Sequence, residues 1–187
     1  MASFKILSAS IFPLILLVFL TLSQFFHQHP HLAEADYKLI EILCHAADVP
    51  EICIQCLKSD PDAELATSRV ELTVVMMNCI SSHADALQVN MKDFASNSKD
   101  ETIKGVFIEC SKAYVEAKKD VLSAIVHLKS HEFDEAESSL TQAIYQHYTC
   151  HSTIKSYKQI KISRKVASEM KVYEELCSSA DRIIERL

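Results

Sequence analysis

The sequence predicts an all-α protein: a four-helix up-and-down bundle with a short N-terminal helical hairpin, stapled by disulfides. Three observations carry this expectation. Of 187 residues only Gly105 is glycine, four are proline and none is tryptophan, which argues against β-hairpins, sandwiches and glycine-rich phosphate loops. Apolar residues make up 49% of the chain and recur at helical spacing. Finally, two pairs of cysteines flank predicted chain reversals at matched distances.

In chain order, Lys5 precedes a mostly apolar run from Ile6 to Leu22, then a polar stretch. This has the form of a signal peptide. Ala33-Glu34-Ala35 offers a small-x-small cleavage site, which makes 1–35 the leader and starts the mature chain at Asp36. Cleavage nearer Ser23 and an uncleaved anchor are the alternatives. A run of this length with Pro13 inside it is short for a bilayer span. Losing the leader removes one base and one acid, Lys5 and Glu34, so the net charge stays at −6. That balance disfavours nucleic acid as a partner. Seven cysteines then face an oxidising compartment, where disulfides are expected.

Residues 36–58 read as two short helices. Tyr37, Leu39, Ile40, Leu43 and Cys44 form an apolar face, and Asp48-Val49-Pro50 breaks it, because a residue before proline is pushed out of the helical region. Cys44 and Cys53 flank the break almost evenly, so they are expected to pair and to hold a hairpin too short to persist by packing alone. Residues 59–187 read as the bundle. Asp60 with Pro61 looks like a helix start, followed by a seam of Leu65, Leu72, Met76, Ile80 (or Cys79), His83, Leu87, Met91 and Phe94. The polar run 96–100 ends that helix.

The next stretch organises the chain. Ile103, Phe107, Cys110, Tyr114, Ala117, Val121, Ala124 and Leu128 step by alternating fours and threes. After Lys129-Ser130-His131 the stepping resumes at Phe133, Ala136, Leu140, Ala143, His147 and Cys150. Two seams around so short a break predict an antiparallel helical hairpin. Cys110 and Cys150 lie equally far from Ser130 and on the inward seams, so they come level and are expected to form a disulfide. Residues 150–163 read as a connector, and 164–187 as the last helix, with Val166, Met170, Tyr173, Cys177, Ala180, Ile184 and Leu187 inward.

Candidate chemistry is sparse. Cys53-Ile54-Gln55-Cys56 has redox spacing, but no strand precedes it and Cys44 is the better partner for Cys53. Cys56 is then the thiol expected at the surface, while Cys79 and Cys177 lie on or beside apolar seams and read as small apolar side chains. His127/His131 and His147/His151 are each four apart. The two pairs fall at opposite ends of the hairpin, about 24 Å apart, so no joint metal site is expected. Each histidine reads as a surface or seam residue, with titration at mildly acidic pH its more natural role. Lys155, Lys158, Lys161, Arg164 and Lys165 form a basic connector whose Ile160 and Ile162 are expected to cover the bundle end. With one glycine no nucleophile elbow is available. The chain reads as a non-enzyme without cofactor or metal.

The residues resemble a known family, the plant inhibitors of pectin methylesterase and invertase. The resemblance rests on Cys44-x8-Cys53 with Pro50 inside it, Leu57-x-x-Asp60-Pro61, Cys110-x3-Tyr114, Phe133-Asp134 after the turn, and Thr149-Cys150. It covers about Asp36 to Leu187. Departures are the extra Cys56 and Cys177 and the stretch 139–143, where the family often has Ser-Ala-Ala. The resemblance implies a four-helix bundle with a small hairpin, and inhibition by occlusion of an enzyme cleft in a stoichiometric complex. In the esterase inhibitors the bundle lies across the pectin-binding cleft; in the invertase inhibitors a Pro-Lys-Phe near the central turn enters the sucrose pocket. Here that turn reads His131-Glu132-Phe133, which keeps the aromatic but has an acid in place of the lysine. The expectation is therefore a secreted apoplastic inhibitor with pectin methylesterase as first target and invertase as alternative. Glu132, Phe133 and Thr149 are its candidate target-binding residues. A monomer is expected, with a hairpin-swapped dimer as alternative. The rival of another class is a non-inhibitory extracellular binding module.

Overall fold

A computed structural model describes residues 30–47 and 49–187, with side chains from Tyr37 onward. Most of the predicted leader, including its apolar run, lies outside the described residues. Among those described there are six α-helices and one 3₁₀ turn, and no strand. They are α1 (Pro30–Cys44), α2 (Pro50–Lys58), the turn Pro61–Glu64, α3 (Arg69–Asn97), α4 (Glu101–Lys129), α5 (Phe133–Ser156) and α6 (Arg164–Ile184).

The helices α1 and α2 make the small hairpin. Pro50 sits in the first turn of α2, where its missing N–H costs nothing. Cys44 and Cys53 are bonded, with Cα atoms 5.6 Å apart. Ile40, Leu43, Cys53 and Leu57 are buried. The Lys58 ammonium lies 4.1 Å from the centre of the Tyr37 ring and closes the outer side.

The expected start of the first long helix is corrected here. Asp60 does act as a cap, accepting from the Asp62 N–H at 2.9 Å, but the element it caps is only the short 3₁₀ turn. Leu65, placed in the seam by periodicity, is 76% exposed. The helix begins at Arg69, where Ser68 Oγ accepts from the Glu71 N–H and Glu71 reaches back to the Thr67 N–H and hydroxyl. A Ser-x-x-Glu start satisfies more of the first-turn donors than an Asp-Pro start. The chain also needs a bend there to pass from the hairpin into the bundle.

The helices α3, α4, α5 and α6 form a closed ring, each packed on two neighbours: α3 on α4, α4 on α5, α5 on α6 and α6 on α3. The hairpin leans on α3 and α6. Asp100 caps α4 by accepting from the Thr102 and Ile103 N–H groups. The seam of α4 is inward as expected, with Phe107, Cys110, Tyr114, Ala117, Val121, Ala124 and Leu128 all buried.

Between α4 and α5 the chain reverses through 130–132. His131 has φ of 59°. The His131 N–H donates to Leu128 O at 3.1 Å and the Glu132 N–H to His127 O at 2.9 Å. This is the doubly bonded C-terminal cap that normally selects glycine. Cys110 and Cys150 come level as predicted, with Cα atoms 4.9 Å apart, and are bonded.

The helix α5 runs on to Ser156, almost two turns beyond the point where composition suggested a connector. Thr149, Thr153 and Ser156 donate to carbonyls three or four residues back, at 2.7–2.9 Å. Their hydroxyls thus fold onto the helix instead of breaking it, while Ile154 is buried. The true connector is 157–163; its Ile160 and Ile162 pack against the core as expected, and Tyr157 does so too. Ser163 caps α6 by accepting from the Val166 N–H.

Candidate functional site

The sequence singled out Glu132, Phe133 and Thr149. The structure places them on one helix but does not bring them together. Glu132 and Phe133 open α5, and Thr149 lies 16 residues on, about 24 Å along the axis. Glu132 precedes the first residue of α5 yet makes no cap bond there. Its carboxylate instead meets His127 Nδ1 at 2.7 Å, bracing the turn onto the end of α4. Phe133 is half-buried against the core, with the His131 ring edge-on to it at 5.8 Å and 88°. The turn is therefore an acid-bearing knob in which Phe133 is packed down, while His131 at its tip and Lys129 just before it stay exposed.

The outer surface of α4 is different. Ile108, Val115 and Leu122 are exposed at seven-residue intervals, with Val126 one turn further on. Seven residues is close to two helical turns, so they form one apolar stripe. Ile108 and Val115 border a groove between α3 and α4 together with Gln88, Lys92 and Ala95. On the other flank, Thr149 and Gln146 line a groove between α4 and α5, with Glu109, Ala113 and Glu116. Tyr145, one turn before Thr149, is 63% exposed. The charges on α4 are largely paired among themselves: Lys104 with Glu101, Lys112 with Glu109 and Lys119 with Glu116. Such exposed pairs add little stability, but they leave the stripe without a strong field of one sign.

These features form a rigid helical bundle, with two internal bonds at Cys44–Cys53 and Cys110–Cys150 and a long half-apolar outer face. The model of the plant invertase/pectin methylesterase inhibitor family matches residues 38–183. The chain belongs to that family. It is a family of inhibitors rather than of enzymes. Among curated proteins, this inhibitor-family chain is similar to one of Platanus acerifolia assigned as an invertase inhibitor, with 26% identity over 67% of this chain and 69% of the relative. It is also similar to the cell wall/vacuolar inhibitor of fructosidase 2 of Arabidopsis thaliana, with 23% identity over 79% and 84%. Among solved structures, a mutant form of an Arabidopsis pectin methylesterase inhibitor superposes with a TM-score of 0.64 at 19% identity, over 77% of this chain and 93% of that one. Another structure of a pectin methylesterase inhibitor from Arabidopsis thaliana gives 0.59 at 17%, over 79% and 95%. At these identities the structures speak for the fold. No helix among the described residues is long and apolar enough to cross a membrane.

Two clusters inside this inhibitor fold were not visible in the sequence. The first is built on Cys79. Cys56, expected at the surface, is in fact buried at 5% exposure, because the inner side of α2 faces the bundle. It stays a thiol, with its hydrogen bond to Cys79 and then burial pushing it up. Cys79 is half-buried. A hydrogen bond from Cys56 holds its thiol down to about 6, and the adjacent His83 acts in the same direction. His83 in turn is raised to about 9 by the Cys79 sulfur and by Glu169, which contacts its Nδ1. Cys177 is fully buried on α6, where it packs as a small apolar side chain. Native protein should therefore be alkylated at Cys79 first among the free thiols. The rate should half-titrate near pH 6 and flatten above pH 7, whereas an ordinary thiol keeps gaining rate up to about pH 8.5. Iodoacetamide kinetics read by peptide mass checks this. His83→Ala should move the midpoint upward, and equal labelling of Cys56 would contradict the assignment.

The second cluster surrounds His147, the one polar member of the α5 seam. It is 1% exposed. Its Nδ1 meets the Tyr114 hydroxyl at 3.0 Å, and its ring lies 5.3 Å from that of Tyr173. Burial pushes the His147 imidazole down to about 4, and burial also lowers His151 one turn later.

Proposed function

We propose that the chain is a secreted, apoplastic inhibitor that blocks the substrate cleft of a pectin methylesterase in a stoichiometric complex. The observation that carries this reading is the contrast between the two exposed candidate surfaces. At the turn Glu132 is tied to His127 and Phe133 is packed down, so the turn does not present a free Phe133 to enter a narrow sugar pocket. The α4 surface offers the exposed Val115, Leu122 and Val126, and a second groove between α4 and α5 carries Thr149. A long, shallow apolar face suits occlusion of an extended polymer-binding cleft. The bundle is held by four long helices and a disulfide. It therefore has little conformational freedom to lose on docking, and an interface of ordinary size suffices for tight binding. With a net charge of −6, the chain is steered toward a basic enzyme, so added salt slows the encounter.

The second reading is inhibition of an invertase, favoured by the names of the two curated relatives. The experiment that separates the readings titrates the purified chain against a pectin methylesterase and an acid invertase at mildly acidic pH. Loss of esterase activity with a one-to-one endpoint is the expected result. Leu122→Glu should weaken it about 30- to 1,000-fold, the effect of burying an unpaired charge at the centre of an interface. Phe133→Ala should change it less than about 3-fold. Loss of invertase activity alone, with Phe133→Ala as the damaging variant, selects the second reading. Inhibition of neither enzyme overturns both.

A further inference from the structure

We propose that His147, His151 and Glu174 form a binding site for a divalent transition metal of the zinc class, bridging α5 and α6. The geometry comes first. His147 and His151 are one helical turn apart, so both imidazoles leave the same side of α5. Glu174 reaches across from α6. One ligand atom from each of the three lies within 4.8 Å of the others. Around a tetrahedral zinc with bonds of about 2.0–2.1 Å, ligand atoms sit roughly 3.3 Å from one another. His147 Nε2 and Glu174 Oε2 are already 3.6 Å apart. Small side-chain rotations are enough to close the set.

An independent observation points the same way. His147 Nε2 is buried and has no hydrogen-bond partner. At 3.6 Å the Glu174 oxygen is too far to be one. A buried polar nitrogen left in that state is costly, and native interiors rarely keep one. A metal ion between Nε2 and the carboxylate removes the anomaly. The surrounding groups are arranged as such a site requires. Tyr114 holds Nδ1 at 3.0 Å, and when Nε2 binds a metal, Nδ1–H donates to the phenol oxygen, which sets ring angle and tautomer. The Tyr148 hydroxyl donates to Glu174 Oε1 at 3.1 Å, which leaves Oε2 free to coordinate. His151 and Glu174 are only partly buried, so the ion enters from solvent and keeps an open position for water. The charge that opposes it is Lys155, one turn beyond His151, close enough to be felt there.

Two imidazoles and one carboxylate suit zinc, copper or nickel far better than calcium or magnesium. The two histidines bracket Cys150, so a bound ion ties α6 to the same turn of α5 that the disulfide ties to α4. The sequence could show the histidine spacing. It could not show the third ligand, which comes from a helix 23 residues further on.

The test uses the whole secreted chain, stripped with a chelator, and zinc alone as the probe. Titration calorimetry should show one site, and zinc at about 100 times the dissociation constant should raise Tm by roughly 5–10 °C. His151→Ala and Glu174→Gln, both at partly exposed positions, should weaken binding at least about 30-fold. His127→Ala and a Cys79→Ser, Cys56→Ser double variant should leave it unchanged. Cobalt in place of zinc should show visible bands of a nitrogen- and oxygen-ligated ion that vanish in His151→Ala. Absence of binding up to millimolar zinc overturns the proposal. So does binding that survives both ligand substitutions or disappears with the thiols.

Discussion

Replacing Cys110 and Cys150 together by alanine is expected to cost about 4 kcal/mol of stability. The two cysteines are 40 residues apart in sequence, and a cross-link of that span removes roughly this much chain entropy from the unfolded state. The covalent link joins the first half of α4 to the later part of α5, so its loss is felt by the whole bundle. Urea unfolding of the double variant should show a midpoint well below that of the parent, and Tm should fall by roughly 8–16 °C for a chain of this size. The Cys44–Cys53 bond closes a separation of nine residues and is worth about 2.5 kcal/mol on the same account. That loss should appear mainly as fraying of the N-terminal hairpin, seen as early proteolysis before Arg69 with the main transition retained. A Cys110/Cys150 double variant within about 1 kcal/mol of the parent would mean that the helices alone close the long hairpin.

Tyr114→Ala is expected to be the most damaging single change to the interior, at about 4 kcal/mol. Tyr114 is fully buried. Its ring meets Tyr173 edge-on at 5.9 Å and 87° and His147 at 6.0 Å, so truncation opens a cavity where α4, α5 and α6 meet. Tyr114→Phe keeps the ring and removes only the hydroxyl. It should cost about 1–2 kcal/mol, because the buried His147 Nδ1 then loses its partner. Denaturant unfolding of the two variants separates the packing contribution from the hydrogen bond. Tyr145→Ala, at a 63% exposed position, is the matched control and should stay within about 0.5 kcal/mol. Equal losses for Tyr114→Phe and Tyr114→Ala would contradict the assignment of most of the effect to packing.

Much of the architecture was legible because long amphipathic helices repeat their signal many times. A boundary misread by a turn does not move the apolar seam, and the seams of α4 and α5 alone placed Cys110 opposite Cys150. The misreadings occurred where a signal is short. Asp60-Pro61 and Ser68-x-x-Glu71 are both valid helix starts, and only the bend between hairpin and bundle chose the second. Residues 150–156 look like a loop by composition, yet their hydroxyls return to helix carbonyls and Ile154 anchors them in the core. His131 stands where glycine is usual, so the turn was found from the break in periodicity and not from turn chemistry. The target-binding candidates came from family resemblance. Nothing in local sequence tells that Glu132 folds back onto His127, because that depends on where the end of α4 points.

By itself the sequence determined the helices, their inward faces and the heights at which both disulfides close, since each of these comes from periodicity or from counting along one chain; the kind of protein came from the family resemblance. Only the tertiary structure decided which side chains from different helices meet: Glu174 beside His147, Cys56 under Cys79, the stripe of α4 left bare while Phe133 at the turn is packed down. The physical reason is that a helix's own period sets which face is apolar. The rotation and offset between two packed helices are set by the interlocking of all their side chains at once, and no single stretch of sequence carries that information.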